Sequence, residues 1–290
     1  MADQEDNPVT PFQYIPTKQG PPVRKKRDVP DGLWMRCTAC EAMLYQKAVE
    51  ENLGVCPQCD AHFRVGAAKR IQQLTDPDTF EELFADIAPD DPLEFVWKGQ
   101  TYAERIKREQ AKTGNTEAVL TGVGYIKGRR VALGAMDGEF LMASMGSVVG
   151  EKITLLIEHA TEHRLPLVIV CTSGGARMHE GVLSVVQMGK TSAALGQLHE
   201  VGGLYISVLV DPTTAGVLAS FASLADIIIA EPGALIGFTG PRVLANTIKT
   251  ELPEGFQRAE FQVAHGFVDR IVPRHELRSE IARLIDYCYR

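Results

Sequence analysis

The stretch that decides the fold is LPLVIVCTSGGARMHEGV, residues 165–182. Its apolar run predicts a buried strand, and the residues after the two glycines predict a helix. A helix that begins directly after a strand leaves the N–H groups of its first turn without intrahelical partners. Such donors at Gly174 and Gly175 would suit an oxygen that becomes negatively charged during a reaction. The alternative is that glycine only permits a tight turn here, and the pattern leaves both interpretations open.

A similar junction follows the next strand. The apolar run LYISVLV, residues 204–210, leads to TTAGV, residues 213–217, and then to a second helix pattern. Strands rich in Val, Ile and Leu that alternate with helices indicate a parallel sheet covered on both faces. The sequence therefore predicts an α/β fold in which two successive strands end in junctions of the same kind.

The flanking segments predict smaller elements. Residues 117–137 have apolar runs separated by glycines and predict a hairpin of strands. Residues 102–114 predict a charged helix that ends at Gly114, since glycine suits a left-handed C-terminal position. Residues 67–87 predict two short helices broken at Asp76-Pro77, with Asp76 or Asp78 capping the second.

Four of the six cysteines are concentrated in one short window with the spacing C-x2-C-x15-C-x2-C. They are Cys37, Cys40, Cys56 and Cys59. This spacing is typical of a tetrahedral zinc site formed by four thiolates, and it predicts a zinc ribbon over residues 34–65. Because all four positions are filled by the protein, we expect a structural ion rather than a catalytic one.

The composition excludes several classes of protein. The chain has 290 residues, 45% of them hydrophobic, and a net charge of -7, which argues against a surface built mainly for nucleic acid. No apolar run is long enough to span a membrane. The polar start MADQEDNPVT has no apolar leader region, so we expect a cytoplasmic protein.

Residues 1–30 predict a flexible tail that is rich in proline and basic residues. The run RKKR at residues 24–27 is typical of a solvated linker, although it also allows contact with RNA or an acidic partner.

The motifs SMGSVVGEK (144–152), SGGARM (173–178), MGKTSAAL (188–195) and AEPGALIGF (230–238), with the zinc module, closely resemble one family. It is the beta subunit of the carboxyltransferase of bacterial-type acetyl-coenzyme A carboxylase. The resemblance covers roughly residues 30–285. It implies that residues 66–290 form a crotonase-like (ClpP/crotonase) βα superhelix, joined to the zinc ribbon.

The resemblance also implies an activity and partners. The family transfers the carboxyl group of carboxybiotin, held on the biotin carboxyl carrier protein, to acetyl-CoA and so forms malonyl-CoA for fatty acid synthesis. It acts with an alpha subunit, in an α2β2 heterotetramer, and with biotin carboxylase, which connects it with ATP and nucleotide binding. The alternatives are a carboxyltransferase for another acyl-CoA, such as propionyl-CoA, and a nucleic-acid-binding zinc-ribbon protein.

The family's functional residues correspond to particular positions of this sequence. The zinc ligands correspond to the four clustered cysteines, and the backbone oxyanion donors to Gly174, Gly175, Ala215 and Gly216. The family usually has glycine where this chain has Ala215, which keeps its N–H but would be strained in a left-handed conformation. Arg177 and Arg242 are candidates for contacts with coenzyme A or a carboxylate, or alternatively ordinary ion-paired or exposed arginines.

No side chain stands out as a general base. Our hypothesis is that biotin itself takes the proton after it has given up its carboxyl group, so that neither His179 nor Glu180 is required. Ser173 lacks the G-x-S-x-G context of a serine nucleophile, and a turn or cap role is the interpretation we favour.

Overall fold

The structure is a computed structural model that describes residues 33–240, 244, 247 and 253–289. The expected tail at residues 1–30 and Arg242 lie outside these residues. The strands are β1 (Trp34–Arg36), β2 (Met43–Tyr45), β3 (Glu81–Leu83), β4 (Val96–Trp97), β5 (Gln100–Thr101), β6 (Val119–Ile126), β7 (Arg129–Met136), β8 (Leu167–Ser173), β9 (Tyr205–Thr214), β10 (Ile227–Ala230), β11 (Ile236–Gly237) and β12 (Arg270–Ile271). The helices are α1 (Gln46–Glu51), α2 (Ala67–Leu74), α3 (Tyr102–Thr113), α4 (Ser147–His163), α5 (Val182–Glu200), α6 (Ala215–Leu218), α7 (Ala259–Ala264) and α8 (Arg274–Cys288).

The main sheet has the order β12-β10-β9-β8-β7-β6-β3, and β11 also pairs with β9. The pairs β7–β8, β8–β9, β9–β10 and β10–β12 are parallel, whereas the pairs β6–β7 and β3–β6 are antiparallel. This arrangement confirms the expected hairpin and the expected parallel α/β core. Because β8 and β9 are parallel neighbours, their carboxyl ends lie side by side at one edge of the sheet.

Both faces of the sheet are covered. One apolar cluster lies between the sheet and α4 and α5, and a second includes residues of α2, α8 and the opposite face of the sheet. The predicted helix at residues 102–114 is present as α3 and ends at Gly114, whose φ is 74°. Among the described residues, no helix is both long and apolar enough to cross a membrane.

The expectation of two helices over residues 67–87 is only half correct. The first is α2, but the second segment forms the edge strand β3, which pairs with β6 at residues 121–123. Gly122 permits this pairing, because a methyl group there would collide with the Phe80 ring and the Glu81 carbonyl. The Asp76 carboxylate caps no helix and instead accepts the N–H groups of Lys127 and Gly128 in the β6–β7 turn.

The helix after the two glycines also begins later than the sequence predicts. The chain does not turn directly from β8 into a helix, because Ala176 forms a bridge with Met145 and a 3-10 turn follows at Met178–Glu180. Helix α5 then begins at Val182. Helix α5 therefore begins seven residues beyond Gly175, and the glycine pair does not lie in its first turn as we expected.

Candidate functional site

The four clustered cysteines converge on a single point. Their sulfur atoms all lie within 4.8 Å of one another. The Sγ atoms of Cys37 and Cys59 are 3.7 Å apart, and those of Cys40 and Cys56 are 3.9 Å apart. A tetrahedral zinc ion with Zn–S bonds of about 2.3 Å places its sulfurs about 3.8 Å apart. The residues present therefore fit one zinc ion held by four thiolates.

Each Cys-x2-Cys pair folds as the same tight turn. The Glu41 N–H donates to the Cys37 carbonyl and the Asp60 N–H to the Cys56 carbonyl, each at 3.0 Å. Glu41 and Asp60 both have a left-handed backbone, with φ of 61° and 58°. The N–H of Cys40 lowers the pKa of the Cys37 thiol to about 6, although burial acts in the opposite direction. This shift favours the thiolate form of Cys37. At Cys59 the Ala61 N–H acts in the same direction, but burial and the neighbouring thiols raise the pKa to about 12.

A buried ionic network attaches the ribbon to the sheet. Glu231, after β10, accepts hydrogen bonds of 2.6 Å from both Arg70 on α2 and Arg274 at the start of α8. Arg274 also donates to the carbonyls of Leu53, Gly54 and Phe63 in the ribbon. Burial raises the pKa of Glu231, but Arg274 and Arg70 outweigh it and hold the pKa well below its ordinary range. The network fixes the ribbon against the carboxyl ends of the strands.

The glycine pair at the end of β8 differs from the expected donor site. The Gly174 N–H donates to the Met142 carbonyl at 2.8 Å, and the Gly175 N–H donates to the Ser173 Oγ at 2.9 Å. Gly174 therefore has no N–H to offer a substrate in this structure, which corrects our expectation for that residue. Gly175 differs, because its partner is a hydroxyl that a substrate oxygen can replace by rotation of the serine side chain.

The junction after β9 brings Ala215 and Gly216 to the start of α6. Both residues lie in the first turn of α6, where intrahelical partners are absent by geometry. Ala215 is half-buried and Gly216 is buried. The Thr214 hydroxyl donates to the Ser173 carbonyl at 2.8 Å and so ties the two junctions together.

Arg177 is an internal ion pair. Its guanidinium is fully buried and forms two hydrogen bonds of 2.6 Å with the Glu117 carboxylate. Further bonds to Tyr102 and to the hydroxyl and carbonyl of Ser144 use all five N–H donors. The ion-paired alternative therefore describes Arg177, and a contact with coenzyme A would require this pair to break. The second candidate, Arg242, lies outside the described residues.

No pattern in the sequence indicates the buried cluster of side chains that surrounds Arg177. Glu117 precedes β6 and resembles an ordinary strand residue, and 60 positions separate it from Arg177. The Glu180 carboxylate accepts a hydrogen bond of 2.6 Å from the Tyr102 hydroxyl. It accepts a second, of 2.5 Å, from the N–H of Ser147 at the start of α4. Gly146 allows this approach, because a methyl group there would collide with Glu180 and Arg177. The contacts of Glu180 with Tyr102 and Ser147 therefore fix the loop after the glycine pair against α3 and α4.

Among the described residues, Ser173 and His179 beside the glycine pair are engaged in structural contacts. Ser173 is buried, and its hydroxyl bonds within its own turn, to the N–H and carbonyl of Gly175. The His179 ring is stacked on Tyr102, with ring centroids 4.9 Å apart. Burial lowers the pKa of His179, and the positive charges of Arg105 and Arg177 act in the same direction. The site therefore consists of backbone donors rather than reactive side chains.

Comparison with known proteins matches both parts of the chain. Residues 86–258 match the carboxyl transferase domain, and residues 34–59 match the acetyl-CoA carboxylase zinc finger domain. The acetyl-coenzyme A carboxylase carboxyl transferase subunit beta of Rhodopirellula baltica is 54% identical over 288 residues, 99% of this chain and 91% of the relative. A relative from Natranaerobius thermophilus, named as subunits beta/alpha, is 50% identical over 90% of this chain but only 42% of its own length.

A solved structure supports the fold independently. Transcarboxylase 12S, with methylmalonyl-coenzyme A bound, superimposes with a TM-score of 0.65 at 23% sequence identity. The match covers 82% of this chain and 42% of that one. The described fold is thus a crotonase-like carboxyl transferase domain with an N-terminal zinc ribbon. The chain belongs to the family of acetyl-coenzyme A carboxylase carboxyl transferase beta subunits.

Proposed function

We propose that this chain forms the acyl-CoA half of a carboxyltransferase that moves the carboxyl group of carboxybiotin to acetyl-CoA and produces malonyl-CoA. Sequence identity of 54% over almost the whole chain to a named beta subunit supports this assignment. The structural observation that carries it is the position of Ala215 and Gly216 in the first turn of α6, where N–H groups have no intrahelical partner, beside the end of β8.

The reaction requires donors at the thioester oxygen. Removal of a methyl proton from acetyl-CoA makes an enolate, so negative charge develops on the carbonyl oxygen in the transition state. In our proposal the N–H groups of Ala215 and Gly216 stabilise that charge, and Gly175 joins them when the Ser173 hydroxyl turns away. Each such donor contributes about 3 kcal/mol in comparable oxyanion sites.

The proton acceptor comes from outside this chain in our proposal. His179, Glu180 and Arg177 are buried and already have partners within the chain. His179 stacks on Tyr102, Glu180 accepts the Tyr102 hydroxyl, and Arg177 is paired with Glu117. This arrangement supports the hypothesis that biotin takes the proton once its carboxyl group has left. The role of this chain is then to orient the thioester and stabilise its enolate.

The zinc ion has a structural role in this proposal. When bound by Cys37, Cys40, Cys56 and Cys59, it supplies a fixed tetrahedral crosslink to a module with a very small apolar core. Because the cysteines fill all four positions, no place remains for a substrate ligand. The ion pair of Glu231 and Arg274 then holds the ribbon over the carboxyl ends of the strands.

We propose the alpha subunit as the obligatory partner, in an α2β2 assembly that also receives the carrier protein and acts after biotin carboxylase. The Natranaerobius relative supports this pairing, because its name joins beta and alpha in one chain. The cytoplasm is the expected compartment, and ATP binding is assigned to the complete enzyme rather than to this chain.

Co-purification with an alpha subunit, followed by a malonyl-CoA assay, tests the proposal. Free biotin carboxylated by biotin carboxylase, or the carboxylated carrier protein, serves as donor. We expect product only when both subunits are present. Absence of product from a stoichiometric, zinc-loaded complex would refute the proposal, and a preference for propionyl-CoA in competition would favour that alternative substrate.

A further inference from the structure

Three parallel strands end together at the candidate site. Thr213 of β9 pairs with Ser173 of β8 on one side and with Ile236 of β11 on the other. The pairing of β9 with β11 continues for one more residue, and both strands then end. The residues two positions beyond this paired row lie next to one another in the following row: Gly175, Ala215 and Phe238.

Phe238 is the large side chain of that row. Gly175 has no side chain, and Ala215 has only a methyl group. The Phe238 side chain is 64% exposed, so its ring borders open space beside Ala215. Binding sites for small molecules combine apolar and aromatic walls with a few fixed polar groups. An exposed ring next to a strand end with backbone N–H groups matches that combination.

The segment that carries Phe238 is held in place by one buried glutamine. The Gln257 carbonyl accepts the Ile236 N–H at 2.7 Å, and the Gln257 side-chain amide donates to the Thr239 carbonyl at 2.9 Å. Gly237 allows this close packing, because a methyl group there would collide with the Gln257 amide. The chain is therefore fixed both before and after Phe238, and the ring is presented from a rigid position.

The two sides of Ala215 leave different amounts of room. On the β8 side, a methyl group built on Gly175 would have only the Ala215 methyl within 4 Å among the described residues, apart from its chain neighbours. A long substituent can therefore pass over Gly175. On the β11 side, the Phe238 ring lies at the end of the strand. A thioester carries coenzyme A and its acyl group on opposite sides of the carbonyl carbon, so one substituent faces each side.

We infer that Phe238 forms the wall against which the acyl group packs, and that it selects acetyl-CoA over longer acyl-CoA thioesters. This inference rests on the proposed function, in which the Ala215 N–H binds the thioester oxygen. With coenzyme A directed over Gly175, the methyl group of acetyl-CoA points toward Phe238, and an additional methylene would collide with the ring. An apolar pocket discriminates one methylene by about 10–200-fold.

The test changes the size of this side chain in both directions. Phe238→Ala should raise kcat/KM for propionyl-CoA, relative to kcat/KM for acetyl-CoA, by about tenfold or more compared with the wild type. Phe238→Trp, which enlarges the ring, should change the same ratio in the opposite direction. The measurement uses the zinc-loaded complex with the alpha subunit and the carboxylated carrier protein as donor.

Phe267→Ala is the matched control. Phe267 is 36% exposed and precedes β12. Asp269, two residues further on, donates its N–H to the carbonyl of Ile228 near the start of β10. Phe267 therefore lies at the amino-terminal edge of the sheet, opposite the candidate site, and its substitution should leave the ratio of the two substrates unchanged.

A direct binding measurement separates the remaining outcomes. If the turnover of Phe238→Ala is too low to measure, calorimetric dissociation constants of the two thioesters on the complex provide the ratio instead. An unchanged ratio overturns the inference, also where the substitution weakens both thioesters equally or weakens binding of the alpha subunit. A wild-type complex that carboxylates neither thioester would count against the proposed function, and the calorimetric ratio would still decide the role of Phe238.

Discussion

Gly175 and Ala215 face each other across the ends of β8 and β9: a methyl group built on Gly175 would lie 3.3 Å from the Ala215 methyl. Both residues have a positive φ, 125° at Gly175 and 53° at Ala215. The two junctions that the sequence places 40 residues apart thus share one small space.

Ala215 is strained, and its replacement tests that strain. A left-handed alanine costs about 1–2 kcal/mol, whereas glycine loses about 0.5–1 kcal/mol through its greater freedom when unfolded. Ala215→Gly should therefore raise the free energy of unfolding by about 0.5–1 kcal/mol. Urea unfolding measures the change. Activity should persist, because the N–H group remains.

Ala219→Gly is the matched control for this prediction. Ala219, four residues further on, has an ordinary φ of -76°, so glycine there brings no relief of strain. It should lower stability by about 0.5–1 kcal/mol. Equal effects of the two substitutions would mean that Ala215 is not strained.

Ser173 holds a turn and attacks no substrate. Its hydroxyl accepts the Gly175 N–H and donates to the Gly175 carbonyl. Ser173→Ala should therefore keep malonyl-CoA formation within about tenfold of the wild type, whereas loss of a serine nucleophile costs on the order of 10⁶ in kcat. Ser220→Ala, at another buried hydroxyl, controls for general destabilisation. A loss of several orders of magnitude at Ser173 alone would restore the nucleophile interpretation.

The ribbon depends on zinc. Cys56→Ser removes a buried ligand and should reduce bound zinc from one ion per chain to a small fraction, since four thiolates share the ion. Faster hydrogen exchange over residues 34–59 should accompany the loss. The matched variant Cys288→Ser changes an exposed cysteine outside the cluster and should keep its zinc. Retention of zinc by Cys56→Ser would contradict the four-thiolate site.

Glu231 links the ribbon to the sheet, and its loss should be costly. Glu231→Gln leaves the buried guanidinium groups of Arg70 and Arg274 without a counter-charge. Breaking a buried pair in this way costs about 3–5 kcal/mol. Glu51→Gln, in an exposed pair with Lys47, should cost less than about 1 kcal/mol. Thermal and urea unfolding of both variants provide the comparison, and equal costs would contradict the network.

The same carboxylate predicts a direction for the pH dependence of stability. Arg274 and Arg70 hold the pKa of Glu231 in the folded chain below its ordinary value of 4.5, although burial alone would raise it. Its stabilising contribution is therefore complete above pH 4.5 and declines as the pH falls further. Glu231→Gln should show a shallower loss of stability over that acidic range than the wild type.

The sequence reveals best the features that depend on neighbouring residues. The zinc ligands follow from spacing, because each Cys-x2-Cys turn forms its ligand pair locally. The helix end at Gly114 and the hairpin at residues 117–137 are local in the same way. Features that depend on distant partners are not visible: the bond from Gly174 requires Met142, and the identity of β3 requires Gly122 on the neighbouring strand.

The most direct measurement removes one backbone donor and keeps the side chain. Incorporation of lactic acid at position 215 replaces the Ala215 N–H by an ester oxygen and keeps the methyl group. With the alpha subunit bound, we expect kcat to fall by about 10²–10³, with the KM for acetyl-CoA changed only a few-fold. Alanine inserted at the same position by the same method is the control. A kcat equal to that control would contradict the assignment of the Ala215 amide to the enolate oxygen.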